Sequence, residues 1–181
     1  MPGLTLITGG ARSGKSSYAL SRVTQHHRHP AFVATAQAFD EEMRDRIARH
    51  RAQRGDRFKT IEEPLDLAAA LTSLPEEVDI AIVDCLTVWL GNLHHRAGGD
   101  ESGIRAGIDA LIDALPGVRC DLVIVTNEVG WGIVPENASA RSFRDMAGML
   151  NRRVAELADE VHVCVCGVPL CVKKDKGEYS L

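Results

Sequence analysis

Five apolar runs recur along the chain, at residues 4–8, 31–36, 80–83, 122–125 and 161–165. Each is continuous rather than alternating, the pattern of strands buried on both faces of a parallel sheet. Stretches with helical spacing lie between them, at residues 15–24, 65–74, 104–115 and from Leu86 to about Arg96. Asp40 is placed to cap a charged helix running to about Gln53, and Ser139 to cap one that runs through Leu157. Pro75 ends the helix at 65–74, and Pro30 opens the second strand. Residues 58–61 suit a short strand, and residues 167–172 a return along a sheet edge. Strand and helix alternate throughout, so the expected fold is an α/β three-layer sandwich around a mostly parallel sheet. One catalytic domain is expected over residues 1–173, with a mobile polar tail behind it (residues 173–181).

Composition narrows the partners. With 181 residues, 45% of them hydrophobic, the chain can bury one full core. A net charge of −4 gives no basic excess for a nucleic-acid partner, so small-molecule substrates are expected. No apolar run approaches the roughly 20 residues of a membrane span. The first residues lack the pattern of a secretory leader. Five cysteines at positions 85, 120, 164, 166 and 171 match neither a disulfide framework nor a zinc site. Cys164 and Cys166 are read as small core hydrophobes. Together these features point to a reducing, cytoplasmic setting.

The first strand runs into Gly9-Gly10-Ala11-Arg12-Ser13-Gly14-Lys15-Ser16, a complete phosphate-binding loop. Its glycines let successive amides face inward on phosphate oxygens, and the following helix adds its N-terminal partial charge. Lys15 is expected to reach the β and γ phosphates, and Ser16 to hold Mg²⁺. An acidic residue at the tip of a second buried strand is needed to organise that ion, and Asp84 supplies it after four apolar residues. Asp84 could also cap the next helix, and the two roles are compatible. The Asn-Lys-x-Asp signature of regulatory GTPases is absent, since residues 126–129 read Thr-Asn-Glu-Val.

The charged helix carries His50 among five arginines, at positions 44, 46, 49, 51 and 54. Arg46, His50 and Arg54 fall on one helical face. An imidazole ringed by guanidinium groups is suited to attack on a phosphate. A solvated charged helix with i,i+4 pairs explains the same pattern, and composition alone does not separate the two.

The motifs resemble those of the bifunctional adenosylcobinamide kinase / adenosylcobinamide-phosphate guanylyltransferase family of cobalamin (vitamin B12) biosynthesis. The likeness begins in the phosphate loop and continues through Val33-Ala34-Thr35-Ala36 and Arg46-Ile47-x-x-His50-Arg51. Glu62-Glu63-Pro64 and Asp84-Cys85-Leu86-Thr87 follow, then Trp89, Asn92, Thr126-Asn127-Glu128-Val129-Gly130 and Gly132-Ile133-Val134-Pro135. Arg141, Phe143-Arg144-Asp145, Asn151 and Gly167-x-Pro169 complete it. Phe58 stands where the family pattern has tryptophan.

The resemblance implies a transferase with two activities. It phosphorylates adenosylcobinamide with ATP or GTP, then transfers GMP from GTP to adenosylcobinamide phosphate through a GMP-histidine. It implies His50 as the nucleophile. It places nucleotide contacts at Gly9, Gly10, Ala11, Arg12, Ser13, Gly14, Lys15, Ser16, Ala34, Thr35, Ala36, Arg51, Ala52, Gln53, Arg54, Glu62 and Asp84. It also implies a homo-oligomer, a trimer. Because the γ and α phosphorus atoms are different targets, either the triphosphate or the helix bearing His50 is expected to move between the two steps.

Other residues keep two readings. Glu128 is either a base or magnesium ligand, or a carboxylate anchoring its own loop. Arg141 and Arg144 bind phosphate or pair with Asp145 and Glu136, and His26, His27 and His29 read as an exposed connection. The competing functions are a kinase of another small metabolite, with His50 incidental, and a non-catalytic nucleotide-binding regulator.

Overall fold

The computed structural model describes residues 2–23, 26–38, 41–98 and 100–174, without the side chains of Glu42, Arg46, His50, Gln53 and Arg54. Its strands are β1 (Leu4–Gly9), β2 (Pro30–Ala34), β3 (Lys59–Glu62), β4 (Ile80–Asp84), β5 (Asp121–Val125), β6 (Glu160–Val165) and β7 (Val168–Lys174). Its α-helices are α1 (Lys15–Arg22), α2 (Glu41–Arg54), α3 (Leu67–Thr72), α4 (Leu86–Ala97), α5 (Glu101–Ala114) and α6 (Ala138–Leu157). All seven strands share one sheet in the order β3-β2-β4-β5-β1-β6-β7. Every neighbouring pair is parallel except β6–β7. The fold is therefore the expected α/β sandwich.

The continuous apolar runs split residue by residue between two cores, because side chains alternate across a sheet. Ala31, Val33, Ala81, Val83, Leu122 and Ile124 face the helices α3, α4, α5 and α6, with Leu67, Leu86, Trp89, Ile108, Leu111 and Leu150 packed on them. Phe32, Ile80, Ile82, Val123 and Val125 face the other side, where Ala19 of α1 and Val23 cover them. Neither face of the central strands meets water, which is why the sequence shows no alternation there.

The structure shifts several expected boundaries. β2 stops at Ala34, not Ala36, because Thr35 turns away to bond the residues after β4. α5 starts at Glu101, capped by Asp100 accepting from the Ser102 amide (3.0 Å). α6 is capped by Asn137, which accepts from the Ala140 amide (3.1 Å), and not by Ser139. Asp40, expected as the cap of this charged helix, lies outside the described residues, and α2 begins immediately after it.

The expected mobile tail at 173–181 is also corrected at its start. Lys173 is buried and belongs to β7. Its Nζ donates to the carbonyls of Ala155 (2.8 Å), Glu156 (3.4 Å) and Ala158 (2.7 Å). These are the acceptors that the end of α6 leaves open, so the ammonium closes the negative end of that helix. Residues 175–181 lie outside the described residues.

Cys166 is likewise not the core residue expected. It is exposed, at φ 50 in the β6–β7 turn, whereas Cys164 is buried as anticipated. The connection after α1 is tied down by Asp79, whose Oδ1 accepts from the His29 amide (3.2 Å), while His27 Nε2 approaches Asp121 (3.8 Å).

Candidate nucleotide-binding and catalytic site

β1 ends at Gly9 and α1 begins at Lys15, so the phosphate loop turns at the carboxyl edge of the sheet. Two of its residues hold left-handed conformations, Arg12 at φ 56 and Gly14 at φ 92. Such residues fold the backbone into a concave nest of amides, which favours an anion. Lys15 is only 6% exposed, and its Nζ donates to the Gly10 carbonyl at 2.6 Å, with Ser13 Oγ 3.4 Å away. The side chain thus folds across the cradle it is expected to serve.

Gly9 sits where no other residue fits. Its φ is 145, and a Cβ there would overlap the Cys164 carbonyl and lie 2.9 Å from Ser13 Oγ. Gly9→Ala is therefore expected to cost about 1–3 kcal/mol. Gly10 has open space at its Cβ position, so Gly10→Ala should fall within about 0.5 kcal/mol of wild type. Thermal unfolding of the two variants checks this: equal melting temperatures would contradict the packing account. Gly14 is held closely too, since a Cβ on it would stand 3.2 Å from the Gly167 Cα. The Gly167 amide donates to the Ser13 carbonyl (3.1 Å), so the β6–β7 turn buttresses the loop from behind.

Several expected site residues fall into one register row across the carboxyl edge. Glu62 pairs with Ala34, Ala34 with Asp84, Asp84 with Val125, and Val125 with Ile7, two residues before Gly9. Four strand spacings of about 4.8 Å make this row roughly 19 Å long. The acid-bearing strand β4 is not adjacent to β1, because β5 lies between them.

Asp84 is nevertheless close enough to act on Lys15. Burial lowers the Lys15 pKa, and the nearby Asp84 carboxylate partly restores it. Burial pushes the Cys85 thiol up to about 11, with Asp84 adding to the effect. Cys85 is then a neutral thiol near pH 7, so the charge that matters to Lys15 there is Asp84.

The shape of this edge is set by a polar network whose roles the sequence did not reveal. Thr35 is fully buried; its Oγ1 accepts from the Cys85 amide (2.8 Å) and donates to the Cys85 carbonyl (2.9 Å). Asn92 donates from Nδ2 to the carbonyls of Thr35 (2.8 Å) and Pro64 (3.0 Å). The Thr35 hydroxyl is thus engaged as both donor and acceptor within the fold. Farther along, Thr87 Oγ1 accepts from the Asn127 amide (2.7 Å). Thr126 Oγ1 donates to Asn151 Oδ1 (2.7 Å), and Asn151 Nδ2 donates to the Asn127 carbonyl (3.2 Å). These bonds fix where β5 releases the chain.

Behind α1, Arg22 Nη2 meets Glu160 Oε2 at 2.7 Å, and His162 lies between Glu160 (3.0 Å) and Tyr18 OH (3.2 Å). The His162 bond, helped by Arg22, holds the Glu160 carboxyl below its usual range. The seat of the phosphate loop is thereby locked to β6.

Of the residues with two readings, Glu128 acts as a loop anchor here: its Oε1 accepts from the Gly130 amide (2.7 Å). Arg141 donates to the carbonyls of Pro135 (3.0 Å) and Glu136 (2.6 Å), and not to a carboxylate. Arg144 keeps Nη1 buried without a hydrogen-bond partner.

α2, which carries His50, leaves from the carboxyl end of β2. None of its described side chains is buried; Arg51 and Ala52 are exposed, and Met43 and Ile47 are half-buried. The side chains of His50, Gln53 and Arg54 lie outside the described residues. Glu62 is exposed at the end of β3.

A family model described as cobinamide kinase / cobinamide phosphate guanyltransferase matches residues 5–172. The chain belongs to this family. The Pseudomonas aeruginosa bifunctional adenosylcobalamin biosynthesis protein CobP is 41% identical over 168 residues, which cover 93% of this chain and 96% of that protein. The Escherichia coli and Salmonella typhimurium proteins, both bifunctional adenosylcobalamin biosynthesis proteins named CobU, are 36% and 38% identical. Each match covers 94% of this chain and 99% of its relative. Among solved structures, the RadB recombinase superposes with a TM-score of 0.51 at 18% identity, over 88% of this chain and 73% of that one. That likeness concerns the fold alone. No described helix is long and apolar enough to cross a membrane.

Proposed function

We propose that this chain performs both reactions in its family's name, cobinamide phosphorylation and guanylyl transfer to the phosphorylated product. The carrying observation is the register row that aligns Glu62, Ala34 and Asp84 with the strand feeding the phosphate loop. The row provides a phosphate cradle at one end and a track for ribose and base along the sheet edge. ATP or GTP donates in the first step, and GTP in the second.

In the first step the acceptor hydroxyl attacks the γ phosphorus and gives up its proton to water, a P–O bond forms, and the bond from the γ phosphorus to the β–γ bridging oxygen breaks to release the nucleoside diphosphate. Lys15 and the amides of the loop bind the charge that spreads over the transferred group. In the second step a ring nitrogen of His50 attacks the α phosphorus, forming a P–N bond and expelling pyrophosphate. The phosphate oxygen of the acceptor then breaks the P–N bond, giving a diphosphate link and restoring His50. Arg51 and Arg54, with Ala52 and Gln53 beside them, are assigned to nucleotide phosphates; Ala34, Ala36 and Glu62 are assigned to its outer half.

Ser16, half-buried at the start of α1, and Asp84, at the tip of β4, offer hard oxygen donors suited to Mg²⁺. That ion would neutralise phosphate charge. Asp84 is also the anion that supports the charged form of Lys15 at this edge.

Labelled GTP tests the reading. Protein incubated with it should gain one acid-labile GMP and release one pyrophosphate, and protein that stays unmodified would contradict the transferase half.

Residues 1–173 are assigned to one catalytic domain in the cytoplasm, in keeping with the family's nucleotide substrates. A homo-oligomer, a trimer, is also proposed. Val165, Val168, Leu170 and Val172 stand exposed on the β6–β7 hairpin at the open sheet edge, an apolar face suited to a second copy. Light scattering should give three chains per particle, and Leu170→Asp should lower that number. A monomeric wild type would remove this part of the account.

A further inference from the structure

The segment leaving β5 is pinned at both ends and apolar between the pins. At its start the Asn127 amide donates to Thr87 Oγ1 (2.7 Å) and the Glu128 amide to the Gly9 carbonyl (3.0 Å). Glu128 Oε1 then holds the Gly130 amide at 2.7 Å. At its end Arg141 grips the Pro135 and Glu136 carbonyls, and Asn137 caps α6. Between these anchors Val129 is 37% exposed, Trp131 72%, Ile133 98% and Val134 58%.

Single exposed apolar residues are ordinary, but four within six positions, one of them tryptophan, mark a surface built for contact. Residues 129–135 read Val-Gly-Trp-Gly-Ile-Val-Pro and carry no charged side chain. A surface without charge does not suit phosphate or an acidic peptide.

Location narrows the occupant further. The Glu128–Gly9 bond sets the start of this segment directly against the phosphate loop, on the strand between β1 and β4. An acceptor of the γ phosphoryl group must approach this same edge. We propose that Trp131, Ile133 and Val134 form the docking surface for the corrin ring of the cobinamide acceptor. The indole and the two aliphatic side chains pack against the methyl-bearing ring, whose neutral amides remain in water. The ring held there would direct its aminopropanol arm toward Lys15. The inference rests on the cobinamide reading given above.

Trp131→Ala and Ile133→Ser, made separately in the full chain, test it. Each should raise KM for adenosylcobinamide about tenfold or more, while GMP labelling by GTP and the solution mass stay at wild-type values. An unchanged KM overturns the proposal. So does a parallel loss of GTP labelling, which would assign the loop to the nucleotide, or a fall in particle mass, which would assign it to a second copy. Wild-type protein that labels with GTP but takes no cobinamide would instead sink the cobinamide reading itself, and this proposal with it.

Discussion

His50→Ala protein incubated with α-labelled GTP is expected to carry no covalent GMP, and its guanylyl transfer should fall by ~10⁴-fold or more, the scale on which removing a covalent nucleophile acts. The size of the effect follows from the two-step route. Without an imidazole to accept the α phosphoryl group, the acceptor phosphate would have to meet GTP directly, anion against anion. Phosphorylation of adenosylcobinamide is the internal comparison, because its chemistry at the γ phosphorus does not pass through His50. A loss of guanylyl transfer far exceeding any loss of phosphorylation identifies the histidine as nucleophile. Equal losses in both reactions would mean that the substitution disturbs the common nucleotide site. Retained label on the His50→Ala protein would move the nucleophile elsewhere.

Lys15→Ala is expected to lower kcat for cobinamide phosphorylation by ~10²–10³-fold, the usual effect of deleting one donor to a developing negative charge. Lys15 is buried, and it bonds the Gly10 carbonyl inside the cradle. Its removal costs that bond, but it also removes a desolvated ammonium whose pKa burial already depresses. The two effects oppose each other in stability, whereas the transition-state charge loses its ammonium and is left to the loop amides. The melting temperature should therefore change little while kcat collapses. Phosphorylation near the wild-type rate would contradict the assignment of Lys15, and loss of folded protein would show a structural part larger than its catalytic one.

The fold was legible because the central strands are buried on both faces. Continuous runs such as Ile80–Asp84 and Asp121–Val125 admit few other arrangements once a phosphate loop fixes the first strand and helix. The ends of elements were less legible, because single hydrogen bonds decide them. β2 stops at Ala34 because Thr35 is captured by Cys85, a contact 50 positions away. Asn137 and Ser139 both have capping side chains, and chain geometry selects Asn137. Lys173 read as a tail residue because the three carbonyls that hold it lie across the fold, on the end of α6.

The site divides in the same way. The phosphate loop and Asp84 follow from local patterns, since glycines before Lys15 and an acid after four apolar residues have few other uses. His50 does not follow locally: its helix has the composition of any solvated charged helix, and the family likeness alone singles it out. The Thr87–Thr126–Asn127–Asn151 network matches the family pattern without a role, and it gains one only when the structure brings three distant segments together. The exposure of Trp131 and Ile133 likewise has no local signal in the sequence and is seen only in the fold.

In a two-step transfer the GMP held by His50 is the group delivered to the acceptor. Protein loaded with labelled GMP, freed of GTP and mixed rapidly with adenosylcobinamide phosphate should lose its label to adenosyl-GDP-cobinamide at a rate no slower than kcat for the overall transfer. Label that stays on the protein, or leaves more slowly than turnover, would show that the histidine adduct lies off the reaction path.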